Sequence, residues 1–361
     1  MDAKREKAAI VAGGAVIGVI ASLLVYFGNP GNMGFCIACF MRDTAGALGL
    51  DSAAAVQYIR PEIIGLILGS TVMAVANKEF APKGGSAPVT RFVLGFFAMV
   101  GALMFLGCPF RMILRLAGGD LNAVWGIVGF VLGIACGVVF LNRGYSLARS
   151  HKMGVVEGSV MPVIALVLLA LAIAAPEFVH FTEAGKGPGA LHAALGISLV
   201  AGLVVGAIAQ RTRLCMVGGV RDLILFRDNK LILGFVAIFA AALATNLVLT
   251  AATPGTFFKL GFAEQPIAHT DALWNALGTF LLGLSCVLLG GCPLRQTVLS
   301  GEGNSDSTIT ILGLVAGAAF CHNFGLASSG SGPTFNGMVA TVLGIVVVLG
   351  IAYANSLSRS E

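Results

Sequence analysis

Long apolar runs separated by short polar stretches dominate this chain of 361 residues. Several runs approach the roughly 20 apolar residues that a helix needs to cross a hydrocarbon core of about 30 Å. The pattern therefore predicts an all-α polytopic membrane protein. Ten spans are predicted, near residues 8–27, 61–77, 91–116, 122–141, 159–176, 190–209, 231–251, 272–299, 308–324 and 336–354.

The composition agrees with this pattern. Hydrophobic residues make up 57% of the chain and charged residues only 11%, whereas a soluble domain carries about a quarter charged residues. There is too little polar surface to cover a water-soluble globule. The net charge of +5 does not indicate a nucleic-acid partner, because the basic residues lie between apolar segments. We therefore predict that membrane lipid contacts the apolar surface of the protein.

Lysine and arginine are concentrated in alternate loops. The basic stretches are residues 1–7, 77–91, 142–152 and 210–230. The loops at 176–189 and 254–270 are far less basic. Because basic loops stay on the cytoplasmic side, the distribution predicts a multi-pass protein of the inner (plasma) membrane with both termini cytoplasmic.

Two short motifs occur twice, in the same order. Gly-Cys-Pro-x-Arg begins at Gly107 and again at Gly291, and a cysteine followed by Arg-Asp six and seven residues later begins at Cys36 and again at Cys215. Two matching offsets of about 180 residues indicate a duplication. Five spans per copy is an odd number, so the copies would have opposite orientations. We predict a 5+5 inverted repeat with broken and re-entrant helices, residues 1–180 and 181–361, within one integral membrane domain.

The Gly-Cys-Pro motifs interrupt the third and eighth predicted spans. Proline suits the first turn of a helix and disrupts the interior. One helix should therefore end near Gly107 and a half-helix begin near Pro109, with Cys108 at the cap. The same argument applies to Cys292 and Pro293. Irregular backbone at membrane depth persists only when it is buried in protein or lines a cavity, so the breaks predict a midplane site.

The start of a half-helix attracts anions through its free N–H groups. Arg111 and Arg295 lie one turn beyond the caps, and an arginine at bilayer depth, which costs at least about 2.5 kcal/mol, normally has a partner or a polar cavity. With Cys108 and Cys292 facing each other, the two half-helices would form a narrow gate for a small sulfur- or selenium-bearing anion. The alternative is that both cysteines are core residues at helix kinks.

Cys36 and Cys215 each precede a short semi-apolar stretch that resembles a re-entrant segment, one at the outer mouth and one at the inner. Each stretch carries an Arg-Asp pair that we expect to orient it, with direct contact to a passing anion as the alternative: Arg42–Asp43 and Arg221–Asp222. Cys39 forms a C-x-x-C with Cys36, but Gly218 replaces it in the second copy. The candidate substrate pathway is Cys36, Cys39, Cys108, Pro109, Arg111, Cys215, Cys292, Pro293 and Arg295.

These motifs and the ten-span hydropathy resemble the YeeE/YedE family of sulfur-transport membrane proteins over essentially the whole chain. The stretches FCIACFMRDTAGALGL and GCPLRQTVLSGEGN are most similar to the YedE branch, described as selenium transporters. The resemblance implies import of a small chalcogen-containing anion, thiosulfate-like or a selenium species, relayed by thiol hydrogen bonds along a cysteine-lined pathway without large domain motion. It also implies a cytoplasmic sulfur- or selenium-carrier protein as a possible partner.

Carried over residue by residue, Cys108 and Cys292 are similar to the central family cysteines and Cys36 to the outer one. Cys215 would be an inner fourth, a departure from the family's three. Two other functions stay open: a membrane sulfurtransferase that uses covalent persulfide cysteines, and a heavy-metal permease. The leading hypothesis, import of a chalcogen-containing anion, predicts a transporter rather than an enzyme, with no cofactor and no resident metal.

Overall fold

The computed structural model describes residues 3–357, and most of them are helical. The predicted cytoplasmic chain ends, residues 1–2 and 358–361, lie outside the described residues. The helices are Ala3–Tyr26 (α1), Ile37–Ala47 (α2), Pro61–Ala76 (α3), Pro88–Phe105 (α4), Pro109–Ala117 (α5), Asn122–Asn142 (α6), Val155–Gly158 (α7), Val160–Ala174 (α8), Leu195–Thr212 (α9), Met216–Phe226 (α10), Lys230–Ala252 (α11), Ala272–Leu288 (α12), Pro293–Gly301 (α13), Ser305–Asn323 (α14) and Phe335–Leu357 (α15).

All ten predicted spans are helical, but they differ in their capacity to cross a membrane. Seven candidate spans are long and apolar enough: Lys4–Tyr26, Pro88–Ala117, Asn122–Asn142, Leu195–Phe226, Lys230–Ala252, Ala272–Gly301 and Phe335–Ser356. Helices α3 and α8 are apolar but have only 16 and 15 residues. At 1.5 Å per residue they span about 24 Å or less, short of a hydrocarbon core of about 30 Å. Helix α14 is not among the seven candidate spans within residues 3–357.

The long helices pack in pairs that join the first half of the chain to the second. Helix α1 packs on α11, α3 on α9, α4 on α14 and α6 on α12, and α4 also packs on α12. Glycine permits the closest of these approaches. A Cβ atom at Gly69 would collide with the carbonyl oxygen of Leu203, and one at Gly133 with that of Phe280. The glycine-rich composition therefore serves helix packing across the two halves.

The four short helices α2, α5, α10 and α13 lie among these pairs. Helix α2 packs on α14 while α10 packs on α6, and α5 packs on α11 while α13 packs on α3. If α1–α6 are matched in order with α9–α14, each of these contacts has a counterpart with the halves exchanged. The last helices do not follow this rule, because α8 packs on α3 whereas α15 packs on α4 and α12.

The basic loops meet at one face of the helical bundle. Two short strands, Lys83–Gly84 (β1) and His151–Lys152 (β2), form an antiparallel pair that joins the stretches 77–91 and 142–152. Arg211 lies 3.6 Å from Glu79, which connects the last turn of α9 to the same face. Loop 176–189 instead bonds to the end of α2, and loop 254–270 bonds to the end of α5. The basic stretches are thus joined to one another, and the less basic loops 176–189 and 254–270 contact other helix ends.

Candidate functional site

Both Gly-Cys-Pro motifs break a helix at the predicted residues. Helix α4 ends at Phe105, Leu106 takes a left-handed conformation with φ +61°, and α5 begins at Pro109. In the second half α12 ends at Leu288 and α13 begins at Pro293. Proline occupies the first helical position in both cases, where its missing N–H has no intrahelical partner to lose. The extended N-cap residues are the two motif cysteines, Cys108 and Cys292.

Cys36 and Cys215 are also N-caps, of the short helices α2 and α10. The Cys36 Sγ accepts a hydrogen bond from the backbone N–H of Cys39 at 3.4 Å. The Cys215 Sγ accepts one from the backbone N–H of Gly218 at 3.3 Å. Both sulfurs thereby satisfy a donor at the helix start that would otherwise have no partner. The C-x5-Arg-Asp motif is therefore a cysteine-capped helix in each half of the chain.

The cap cysteines form two groups, one in each half. The thiols of Cys39 and Cys108 are the neighbours of the Cys36 thiol, and we name these three the first-half thiol cluster. The Sγ atoms of Cys215 and Cys292 are 3.8 Å apart, and we name these two the second-half thiol pair. Each Gly-Cys-Pro cysteine thus has a thiol partner from its own half, the cap of the neighbouring short helix. That Cys108 and Cys292 face each other across the two halves stays a prediction of the sequence.

The two thiol groups belong to helices that touch. Helix α2, capped by Cys36, packs on α13, which is capped by Cys292. All five sulfurs are on residues that are at most 5% exposed. Both thiol groups are therefore shielded from water.

Arg111, predicted to lie on the pathway, is held entirely by protein groups. Its Nη1 donates to the carbonyl of Leu106 and lies 3.9 Å from the Cys39 Sγ. Nη2 donates to the carbonyls of Pro266 and Ile267 at 3.2 and 3.3 Å, and Nε donates to that of Asn32 at 3.3 Å. This guanidinium, fully buried, ties the broken helix to two loops.

Arg295, its counterpart in the second half, has a different environment. Its Nη1 donates to Glu302 Oε1 at 3.1 Å, and its side chain is 15% exposed. It lines a cavity of about 290 Å³ together with Arg213 and Lys83. The second-half thiol pair is therefore one helical turn from an arginine that reaches a cavity at the face of the basic loops.

The Arg42–Asp43 pair forms an ion pair and has a third member that the sequence analysis missed. Arg42 Nη2 lies 2.6 Å from Asp43 Oδ1, and Arg60 Nε donates to Asp43 Oδ2 at 2.7 Å. Arg60 also donates to the carbonyls of Leu191 and Pro188. All three charged side chains are at most 3% exposed. They link α2 to the start of α3 and to the loop before α9.

The Arg221–Asp222 pair is formed at 2.8 Å but lies nearer to water, with side chains 30% and 23% exposed. Asp222 lines a cavity of about 520 Å³ that shares Glu79 and Arg213 with the smaller one. On the opposite face, beside the carbonyls that hold Arg111, the cavity is only about 40 Å³. The cavities beside Asp222 and Arg295 are thus larger than the cavity beside the carbonyls that hold Arg111.

Further buried charges escaped the sequence analysis. Arg115 Nε donates to Asp120 Oδ2 at 2.6 Å, both fully buried. Glu62 Oε1 accepts from Asn29 at 2.8 Å and from Ser198 at 3.0 Å, and its other oxygen has no partner among the described residues. None of these recurs in the second half, so the duplication gave no signal. The one feature of the sequence that could have revealed them is that each charged residue lies in or next to an apolar run.

No three histidine, cysteine, aspartate or glutamate side chains between residues 3 and 357 are arranged to hold a metal ion. The three thiols of the first-half cluster therefore do not form a metal centre in this conformation. Their arrangement suits hydrogen bonding by S–H groups at helix starts.

Known proteins resemble part of this chain. Residues 211–356 match the family described as Sulphur transport. A thiosulfate transporter TsuA from Spirochaeta thermophila is 32% identical over 105 residues, which are 29% of this chain and 29% of the relative. The thiosulfate transporter TsuA of Escherichia coli K12 is 28% identical over 113 residues, 31% and 30% of the two chains. The matched stretch spans less than a third of either relative.

Proposed function

Because residues 211–356 match the Sulphur transport family, we propose that this membrane protein imports a small sulfur-containing anion, of which thiosulfate is the first candidate. The anion would pass Cys36, Cys108, Cys292 and Cys215 in turn. It would be held by S–H groups and by the N–H groups of half-helix starts. Selenium-containing anions of similar size and charge form the second substrate class. The thiosulfate transporters that the chain resembles support the first class.

The observation that carries the proposal is the position of four cysteines at four helix starts. Cys36, Cys108, Cys215 and Cys292 are all N-caps with extended backbones. Helix N-termini attract anions, and thiols are weak donors that hold a soft anion without trapping it. The contact between α2 and α13 supports a path from one group to the other. Such a chain of weak sites suits passage, because binding must be loose enough for release.

We further propose that the chain is an inverted repeat of residues 1–180 and 181–361, with ten crossings and both termini cytoplasmic. The exchange of helix contacts between the halves supports the repeat. The convergence of the basic loops on one face supports their cytoplasmic side. An inner-membrane location follows from the same argument. A cytoplasmic carrier protein would then receive the anion at the face of Arg213 and Arg295.

The decisive experiment is uptake of radiolabelled thiosulfate by proteoliposomes. A hydrogen bond to a charged group contributes about 1.5–3 kcal/mol, so loss of one thiol should slow uptake about tenfold or more. We expect this loss for Cys108→Ala and for Cys292→Ala, and a smaller loss for the serine variants. Cys136→Ala is the matched control, because Cys136 lies partly exposed on α6, away from the caps.

Wild-type uptake in both alanine variants would overturn the thiol pathway. If serine is as damaging as alanine and mass spectrometry finds a persulfide on Cys108 or Cys292, the protein is a sulfurtransferase instead. Competition of unlabelled thiosulfate and selenite against the label then ranks the two substrate classes.

A further inference from the structure

The second-half thiol pair has a geometry that a transport pathway does not require. A single cysteine at a helix start suffices to hydrogen-bond an anion, and the family that the sequence resembles has three pathway cysteines rather than four. Here Cys215 adds a second sulfur 3.8 Å from that of Cys292. A disulfide needs about 2.05 Å between the sulfurs, so the two atoms must approach by less than 2 Å.

We propose that Cys215 and Cys292 form an oxidisable dithiol, a modification site that reacts with peroxides and closes into a disulfide. The two cysteines cap separate helices, α10 and α13. The bond would therefore tie the short helix α10 to the half-helix α13. Closure of the passage by this bond rests on the proposed transport function, whereas the thiol chemistry does not.

Polarity and a neighbouring cavity favour this pair over the first-half thiol cluster. Arg213, two residues before Cys215, and Arg295, three residues after Cys292, both line the cavity of about 290 Å³. The backbone N–H of Gly218 points at the Cys215 sulfur, and the start of α10 stabilises negative charge there. The first-half cluster instead adjoins Arg111, whose donors are all taken up by protein groups.

The reaction is a two-electron oxidation. The Cys215 sulfur attacks one oxygen of hydrogen peroxide, the O–O bond breaks, and water leaves with the thiol proton, so that Cys215 becomes a sulfenic acid. The Cys292 sulfur then attacks the Cys215 sulfur, the S–O bond breaks, and a second water leaves. Two thiols lose two electrons and two protons, and the peroxide is reduced to two waters. A low-molecular-weight thiol reverses the bond by exchange.

A reducing cytoplasm would keep the pair open, because intracellular disulfides in most organisms are transient and serve catalysis or redox sensing. Oxidative stress would close it. In the proposed orientation the pair lies towards the cytoplasmic face. The device would stop import of a reactive sulfur species while the thiol pool of the cell is oxidised.

The test has a chemical arm that does not depend on transport. The purified full-length protein in detergent is treated with hydrogen peroxide, free thiols are blocked, and peptides are mapped by mass spectrometry. We expect a Cys215–Cys292 disulfide that a thiol reductant removes. Cys286→Ser is the matched control, because this buried cysteine on α12 is outside the pair, and it should leave the disulfide intact. Cys215→Ser should abolish it.

A different pairing in the peroxide-treated wild type, or no disulfide while size-exclusion chromatography reports folded protein, would overturn the proposal. The second arm is thiosulfate uptake, which should fall about tenfold or more on oxidation and recover on reduction, since a constricted gate stops conduction. A disulfide that forms without any change in uptake would refute the gate. Absence of uptake before oxidation would refute the transport function and leave the chemical result standing.

Discussion

The first-half thiol cluster and the second-half thiol pair are built on the same motifs and differ in what surrounds them. Near Cys36 and Cys108, the charged side chains are buried: Asp43 pairs with two arginines, and Arg111 donates all its hydrogen bonds to protein groups. Around Cys215 and Cys292, the matching ion pair and arginine border cavities of about 520 and 290 Å³. The cavity on the opposite face is about 40 Å³. The same motifs therefore stand in a buried environment in the first half and in a more polar, cavity-lined environment in the second.

The difference lies in the partners rather than in the motif residues. Asp43 has two arginine partners, Arg42 and Arg60, whereas Asp222 has only Arg221 among the described residues. Arg60 is the N-cap residue of α3, whereas the N-cap residue of the matched helix α11 is Asn229. Arg60 thus gives Asp43 a second ion-pair partner, which Asp222 lacks among the described residues.

The largest expected effect separates the two Arg-Asp motifs. Asp43→Asn leaves Arg42 and Arg60 buried without their carboxylate, and breaking a buried ion pair costs about 3–5 kcal/mol. Asp222→Asn removes a partly exposed pair, which contributes at most about 1 kcal/mol. We expect a marked fall in the thermal unfolding midpoint for the first variant, measured in detergent, and little change for the second.

Arg60→Met is the control for this comparison, because it removes the unmatched arginine and leaves the Arg42–Asp43 pair. It should give an intermediate loss of stability. Equal unfolding midpoints for Asp43→Asn and Asp222→Asn would mean that the buried triad contributes no more to stability than the partly exposed Arg221–Asp222 pair.

The second prediction compares the two motif arginines. Arg295→Gln removes the positive charge that borders the inner cavity, and loss of a charged hydrogen bond to the anion should raise the KM for thiosulfate uptake about tenfold. The fold should persist, because Arg295 has only Glu302 as a side-chain partner. Lys83→Gln removes a charge from the same cavity away from the thiols and should have a smaller effect. Identical KM values for both variants would contradict a specific role of Arg295.

Arg111→Gln should behave differently from Arg295→Gln. It deprives carbonyls on two loops of their donor and should lower stability and the yield of folded protein. A folded Arg111→Gln protein with only a raised KM would show that the first-half arginine also serves the anion.

Local features of this site were predictable from the sequence because they depend on local chemistry. Proline after cysteine starts a helix wherever it occurs, so both breaks and both caps were found at the expected residues. Tertiary partners were not predictable in the same way. The contact of Cys292 with Cys215 joins positions 77 residues apart, and the carbonyls that hold Arg111 come from residues about 80 and 155 positions away.

The lengths of the helices were also less predictable than their hydropathy. Hydropathy reports how apolar a segment is, and α3 and α8 are apolar. Their length depends on where the chain turns: α3 begins at Pro61 and is capped at Asn77, and α8 ends at a left-handed Ala175. Buried charges such as Arg60 and Glu62 lie at the start of the short α3. Whether so short a helix spans the membrane depends on the helices packed against it, and the hydropathy of the segment itself does not reveal those neighbours.

The smallest expected effect concerns Cys39, which has no counterpart in the second half because Gly218 stands in its place. Its sulfur lies 3.9 Å from Arg111 Nη1, a weak contact to a guanidinium already bonded to carbonyls. Cys39→Ala should therefore lower thiosulfate uptake by less than about fivefold, since weak contacts contribute under about 1 kcal/mol. Cys36→Ala, which removes a capping sulfur, should lower uptake much further in the same assay. If the two alanine variants are equally impaired, both cysteines of the C-x-x-C serve the pathway, and the first half has three functional thiols where the second has two.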